Sequence, residues 1–215
     1  MRTTLSRYKF QRLARESLRN SLRLHSDAIL LYENSSYPSA FQLAVLALEE
    51  LAKAKWVSHY YYSSITNEGF PEADFEQHWL MLLYSHTEKQ YAFIARDVFD
   101  YSPKLVKFIK AKKLELKKQQ STYVSLERAN RNVDVSGRIS TPERLKQKDA
   151  KQLISLVNNE FIEIYECVLL NGECFGINEV DNVISSEEHQ FLFVWPHKPG
   201  LKSRHFLKQH IVLSE

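Results

Sequence analysis

The chain is poor in the residues that turn and cross-link a backbone: five glycines, six prolines and two cysteines in 215 residues. So few turn formers argue against a β protein built from many hairpins. Cys167 and Cys174 stand in no C-x-x-C arrangement, which supports neither a disulfide framework nor a thiolate zinc site and suits a reducing cytoplasm. No apolar run approaches the roughly 18 residues of a membrane span, and the N-terminus has no apolar signal-peptide core. The stretch from Met1 to Leu24, rich in Arg and Ser with Glu16 as its single acid, imitates a transit peptide. Its helical periodicity runs unbroken into the next segment, which argues against that reading. Also missing are H-E-x-x-H, an E-x-x-H pair, a Walker A loop and G-x-G-x-x-G, so neither metal nor nucleotide cofactor is expected. His197, His205 and His210 lack tight ligand spacing and carboxylate company.

What is present is helical and charged in blocks. Hydrophobic residues make up 44% of the chain, enough for one good core. The net charge of +3 resolves into +6 over residues 1–24, −7 over 25–103, +9 over 104–151, −8 over 152–196 and +3 over 197–215. Such alternation lets helices pair by sign within a bundle or a dimer, and a basic block left exposed would attract phosphate.

The spacing predicts a first helix over Thr4–Asn34 and a second from Pro38 to about Tyr62, folded as an antiparallel hairpin. After a turn at 67–71, a third helix is expected over Glu72–Tyr101, with Phe75, Trp79, Leu82, His86 and Phe93 on one face. Lys104–Gln120 reads as a basic helix, 121–140 as a loop, and Thr141-Pro142-Glu143 as the capped start of a closing helix ending near Gly172. Gln190 to Trp195 (QFLFVW) has strand-like composition. The expected architecture is an all-α bundle over 1–172, with a short irregular C-terminal extension over 173–215 packing on the bundle or a partner.

Ala40 to Ala54 is the most informative segment. At about 100° per residue, Ala40, Ala44, Ala47, Leu51 and Ala54 form a narrow small-residue face that invites close helix approach. Glu49 and Lys53 fall opposite, as an i,i+4 pair. Glu50 falls at a margin beside Leu43, Leu46 and Val57, where a carboxylate needs Lys53, an arginine or backbone donors.

Tyr37-Pro38-Ser39-Ala40 with Leu46-Ala47-Leu48-Glu49-Glu50-Leu51-Ala52-Lys53-Ala54 resembles the second-helix signature of AbiV-type abortive-infection proteins, a phage-defence family in the HEPN superfamily. Leu22 to Leu31 resembles that family's first helix, and Ser85-His86-Thr87-Glu88-Lys89 its H-x-x-K helix. Ser121 to Leu126, Ser140-Thr141-Pro142 and Asp149-Ala150 resemble its tyrosine-containing loop and closing helix. The resemblance covers about residues 20–170. It implies a HEPN-like antiparallel bundle, usually a homodimer, and a second helix that is apolar nearly all round also leads to the expectation of a homodimer. Its role would be abortive infection, in which an infection cue, such as a phage-encoded activator protein, releases a block on translation or cleavage of tRNA, rRNA or mRNA.

Two site constellations follow. Glu49, Glu50, Lys53, His86 and Lys89 would form a polar cluster between helices two and three, as catalyst or as structural lock. HEPN ribonucleases typically carry R-x(4–6)-H without a metal, and Arg19, Asn20 and His25 match as R-N-x4-H, but in the first helix and with Arg19 and His25 roughly 120° apart. His25 also lies on the Leu18/Leu22/Ile29 side, as a core or interface residue would. Arg96-Asp97 has no histidine at the required distance. Lys104, Lys107, Lys110, Lys113 and Lys117 are a solvated face or an RNA-binding row, and Tyr60-Tyr61-Tyr62 are packing residues or base-stacking ones. The competing expectation is a non-catalytic helical dimer that binds a phage or host protein.

Overall fold

The computed structural model describes residues 4–66, 69–95, 98–126, 128–129, 132–133, 135–171 and 183–203. Arg96-Asp97, Asn67-Glu68 of the predicted turn, Gly172, Cys174, His205 and His210 lie outside them. The described residues form an all-α fold: α1 (Arg7–Glu33), α2 (Tyr37–Thr66), α3 (Ala73–Leu82), α4 (His86–Ala95), α5 (Pro103–Lys110), α6 (Lys113–Gln120), α7 (Gln147–Asn171) and α8 (Ser186–Phe193). None of these helices is long and apolar enough to cross a membrane.

α1 and α2 form the antiparallel hairpin that their periodicity predicts. Ser6 caps α1 by accepting from the Lys9 backbone N–H. At the other end Ser35 takes a left-handed φ of 61°, and hydrogen bonds from Ser35 N to Tyr32 O and from Ser36 N to Leu31 O close the helix. The small face of α2 does what small faces do: Ala40, Ala44, Ala47, Leu51 and Ala54 are all buried. α1 comes so near that Ser21 Oγ donates to the Ala47 carbonyl at 2.6 Å. α7 completes the core with Ala150, Leu153, Ile154, Val157 and Phe161.

Several local expectations are corrected. The third helix is two helices, because Ser85 ends one and starts the next: its N–H bonds Leu82 O and its Oγ accepts from the Glu88 N–H at 3.4 Å. Ser85-His86-Thr87-Glu88 is thus a helix-start pattern inside the expected helix. Phe75, on α3 with Trp79, is exposed, whereas Trp79 on α3 and Phe93 on α4 are buried. The basic helix also breaks in two, at Lys112 with φ 55°. The predicted loop holds two short antiparallel pairs, β1 (Ser125–Leu126) with β4 (Ile139–Ser140) and β2 (Arg128–Ala129) with β3 (Asn132–Val133). Thr141 makes no side-chain cap, a 3-10 turn occupies Pro142–Arg144, and α7 starts only at Gln147. QFLFVW is mostly helix, not strand. Ser185 and Glu188 form a full capping box that starts α8, and Leu192 is buried there, with its carbonyl accepting from Asn158 Nδ2 at 2.9 Å.

Past α8 the chain straps back over the bundle. Ser102 N donates to Leu201 O at 2.8 Å and Ser203 N to Asp100 O at 2.7 Å. Lys202 is buried, with Nζ 2.6 Å from Glu160 Oε1 and 3.2 Å from Glu163 Oε1. Glu160 is also bonded to Lys55 and accepts from Tyr101 Oη at 2.9 Å.

The α1–α2 contact yields a packing prediction. Ala44→Leu inserts three carbons where no space exists and should lower the unfolding free energy by about 1–3 kcal/mol in chemical denaturation. Leu30→Ala on the exposed flank of α1 should change it by less than about 0.5 kcal/mol.

Candidate functional site

The functional candidate is built around Glu49, whose side chain is 1% exposed. A carboxylate so placed must gather donors from neighbouring elements. α4 supplies His86 Nδ1 at 2.6 Å from Oε2, Gln90 Nε2 at 2.7 Å from Oε1 and Lys89 Nζ at 3.8 Å from Oε2. α6 supplies Lys118 Nζ at 2.9 Å from Oε1. Lys118 and Gln90 also reach Glu115 Oε2, at 2.7 Å and 2.9 Å. Burial would raise the Glu115 carboxyl, but Lys118, Gln119 and Gln90 outweigh it and hold the pKa below its ordinary value.

The network continues along α2 to α1. Glu50 bonds Lys53, with Nζ 2.8 Å from Oε1 and 2.7 Å from Oε2, and lies 4.0 Å from Lys89 Nζ. Asn20 Nδ2 donates to Glu50 Oε2 at 3.3 Å, and Asn20 Oδ1 accepts from Arg23 at 3.0 Å. Glu49, Glu50 and Glu115 are therefore matched by Lys53, Lys89 and Lys118.

The two adjacent glutamates trade the places their sequence suggests. Glu49, read as the surface partner of Lys53, is the buried hub. Glu50, read as desolvated, is the more open of the two and takes Lys53 at i,i+3. His86 stands not in an apolar face but at the start of α4, with its side chain 52% exposed. Lys118, Gln90 and Glu115 escaped sequence reasoning. The available signal was Lys118 four residues after Leu114, one helical turn along the apolar face of the basic segment.

The second constellation does not assemble. His25 is fully buried, its Nε2 3.0 Å from Asn158 Oδ1 and its ring against Phe161. Arg19 is half exposed and pairs only loosely with Glu16, at 3.7 Å. Only Asn20 joins the Glu49 network. Lys104, Lys107, Lys110 and Lys113 are exposed, whereas Lys117 is held 2.6 Å from Asp149 Oδ1. In the tyrosine run, Tyr61 is buried and Tyr60 stacks on Trp79 with ring centroids 4.0 Å apart.

Glu49, His86 and Glu115 each offer a ligand atom within 4.8 Å of the others. Lys118 Nζ already bridges the two carboxylates where a cation would sit, so their charge is answered by an ammonium. Chemically the arrangement is a carboxylate–imidazole dyad. The carboxylate of Glu49 accepts a hydrogen bond from Nδ1–H, so that in the neutral ring Nε2 is the acceptor of an imidazole open to solvent.

A family model described as AbiV (HEPN_AbiV) matches residues 9–163. That span holds every member of the Glu49 network and ends before α8 and the strap. No curated protein and no solved structure matches the chain.

Two predictions follow from these burials. Glu49→Ala leaves the buried Lys118 with Glu115 alone and Lys89 with Glu50 alone, at 4.0 Å, and should cost about 3 kcal/mol of unfolding free energy, with the more open Glu50→Ala costing less. The second concerns pH. Burial, opposed by the bond to Asn158, lowers the His25 pKa from 6.5 to about 4. Between those values the unfolded chain binds more protons than the native one, so stability is lost as pH falls from 6.5 to 4. Glu163, raised from 4.5 to about 7 by burial and by the neighbouring Glu160, acts in the opposite sense between those values. His25→Gln therefore isolates the imidazole: the stability gap between wild type and variant should shrink by about 3 kcal/mol from pH 7 to pH 4.

Proposed function

On the premise that this chain belongs to the AbiV family of HEPN proteins, we propose that it acts in abortive infection as a metal-independent ribonuclease whose acid/base is His86. The family points to the antiphage role. The observation that carries the chemistry is the half-exposed His86 ring, fixed through Nδ1 by a buried carboxylate at 2.6 Å. In this reading Nε2 takes the proton of an RNA 2′-hydroxyl, the 2′-oxygen attacks the adjacent phosphorus, and the 5′-oxygen leaves, giving a 2′,3′-cyclic phosphate. The leaving oxygen regains a proton from the imidazolium or from water. Glu49 is the positioning residue. Lys89 and Lys53 supply positive charge beside the developing phosphorane, and the exposed row Lys104, Lys107, Lys110 and Lys113 offers the RNA backbone a landing face. A homodimer and a phage-encoded activator belong to the proposal through the family. The apolar surround of α2 adds nothing to the dimer, because α1, α4 and α7 cover it within one chain.

One observation favours the second reading, a non-catalytic module that binds a phage or host protein. Each of the three carboxylates is already served by donors, as a structural lock requires.

Cleavage of total RNA and tRNA by purified protein in chelator, with and without phage lysate, separates the two. The ribonuclease reading expects His86→Ala to reduce cleavage by about 100-fold or more while the protein, short of one donor to Glu49, stays folded at the assay temperature, and His25→Ala to track fold stability instead. A folded protein that protects cells yet cleaves nothing under any condition would establish the binding module.

A further inference from the structure

A cleft of about 440 Å³ opens between the first two turns of α7 and the strap at residues 196–200. Its charged lining is of one sign: Lys148 and Lys151 from the helix and Lys198 from the strap, with His197 beside them, while Gln152 offers a neutral amide and the buried Ser155 donates to the Lys151 carbonyl at 2.8 Å. Among the described residues no carboxylate lines it. Asp149, the acid nearest in sequence, faces α6, where its Oδ1 meets Lys117 Nζ at 2.6 Å, and its Oδ2 accepts from the Lys146 backbone N–H at 3.0 Å. The three cleft lysines form no ion pair among the described residues. Burial, followed by the charge of Lys151, holds the His197 pKa below its ordinary value; Lys148 helps to lower the Asp149 carboxyl, which lies outside the cleft lining.

The wall behind them is cross-bonded. Trp195 Nε1 donates to Ser155 Oγ at 2.9 Å. The Trp195 ring packs edge-on against Tyr32 at 5.3 Å and against His197 at 5.1 Å. Past the cleft, the buried Lys202 anchors the strap to Glu160. Like charges held together by a fixed scaffold gain most from a ligand that carries the opposite charge and many acceptor oxygens. The volume falls within the range of small-ligand sites.

We propose that this cleft binds a phosphate group, with Lys148, Lys151 and Lys198 on its oxygens and Gln152 as a polar neighbour. The phosphate could be that of a free nucleotide or of an RNA chain. Binding there requires no cleavage at His86, so the inference stands or falls separately from the ribonuclease reading.

The test measures binding of two probes, ADP by calorimetry and a fluorescent 12-nucleotide single-stranded RNA by anisotropy across a salt series, in the His86→Ala background so that no RNA is cut. The variant is Lys148→Ala/Lys151→Ala/Lys198→Ala. Arg7→Ala/Lys9→Ala/Arg12→Ala removes the same charge from α1, and the single Lys198→Glu serves if the triple variant melts early. Loss of affinity by about tenfold or more for ADP in the cleft variant, but not in the α1 variant, establishes a site for free nucleotide. Loss for RNA alone, with the slope of log K against log salt shallower by about 2, establishes a site for phosphate within a chain. The proposal is overturned if wild-type protein binds neither probe, if a folded cleft variant binds both as wild type does, or if the α1 variant loses as much.

Discussion

The burial of Glu49 is the constraint on which the arrangement of this protein turns. A carboxylate at that depth is tolerable only when fully partnered, and its partners come from α4 and α6, helices that lie 37 and 69 residues away in sequence. Satisfying Glu49 therefore fixes where α4 starts, how it is rotated and how close α6 approaches. The break at Ser85 is part of the same arrangement. It starts α4 at His86, which places that imidazole in the first helical turn, with Lys89 and Gln90 following on toward the same carboxylate. α2 carries the hub because its other face, the row of alanines, seats it against α1.

A second buried acid, Glu160, repeats the device on α7. Burial alone would raise the Glu160 carboxyl, yet Lys55 and Lys202 outweigh it and hold the pKa at about 2. Here the result is attachment: Lys202 belongs to the strap, Lys55 to α2, and Glu160 to α7, so one carboxylate ties the C-terminal segment to the bundle. Buried ion pairs add little net stability compared with apolar packing of the same volume. What both clusters do supply is uniqueness, since any other register of α4, α6 or the strap would strand a charge.

This explains what could be read from the sequence and what could not. The α1–α2 hairpin and the small face of α2 were legible because periodicity is a local property, and Ala40, Ala44, Ala47, Leu51 and Ala54 declare it within fifteen residues. Which of two adjacent glutamates turns inward was not legible, because Glu49 is selected by Lys118 and Gln90, and nothing near position 49 announces them. The polar members Glu50, Lys53, His86 and Lys89 were grouped correctly as neighbours, but the hub was misassigned. The helix α8 and the α3–α4 break were overlooked for a different reason. Both begin at S-x-x-E, at Ser185 and Ser85, a four-residue capping signal set before an apolar run in one case and inside continuous helical periodicity in the other. For the R-N-x4-H match, the angular objection was the better guide: residues six apart on a straight helix face different ways, and His25 goes to the core while Arg19 goes to solvent.

Structural and chemical roles for the Glu49 network are not alternatives at the level of physics. A lock needs every donor and acceptor satisfied and immobile, and an acid/base site needs its imidazole held in one tautomer and one orientation before substrate arrives. Glu49 meets both demands with the same bond to His86 Nδ1. The two roles differ only at the ring's outer edge, where Nε2 faces solvent on a side chain that is half exposed while its partner is wholly enclosed. A residue needed only for the lock would gain by being covered too, since exposure lets water compete for its hydrogen bond. The asymmetry between an enclosed acid and an open imidazole is the feature on which the proposed chemistry rests.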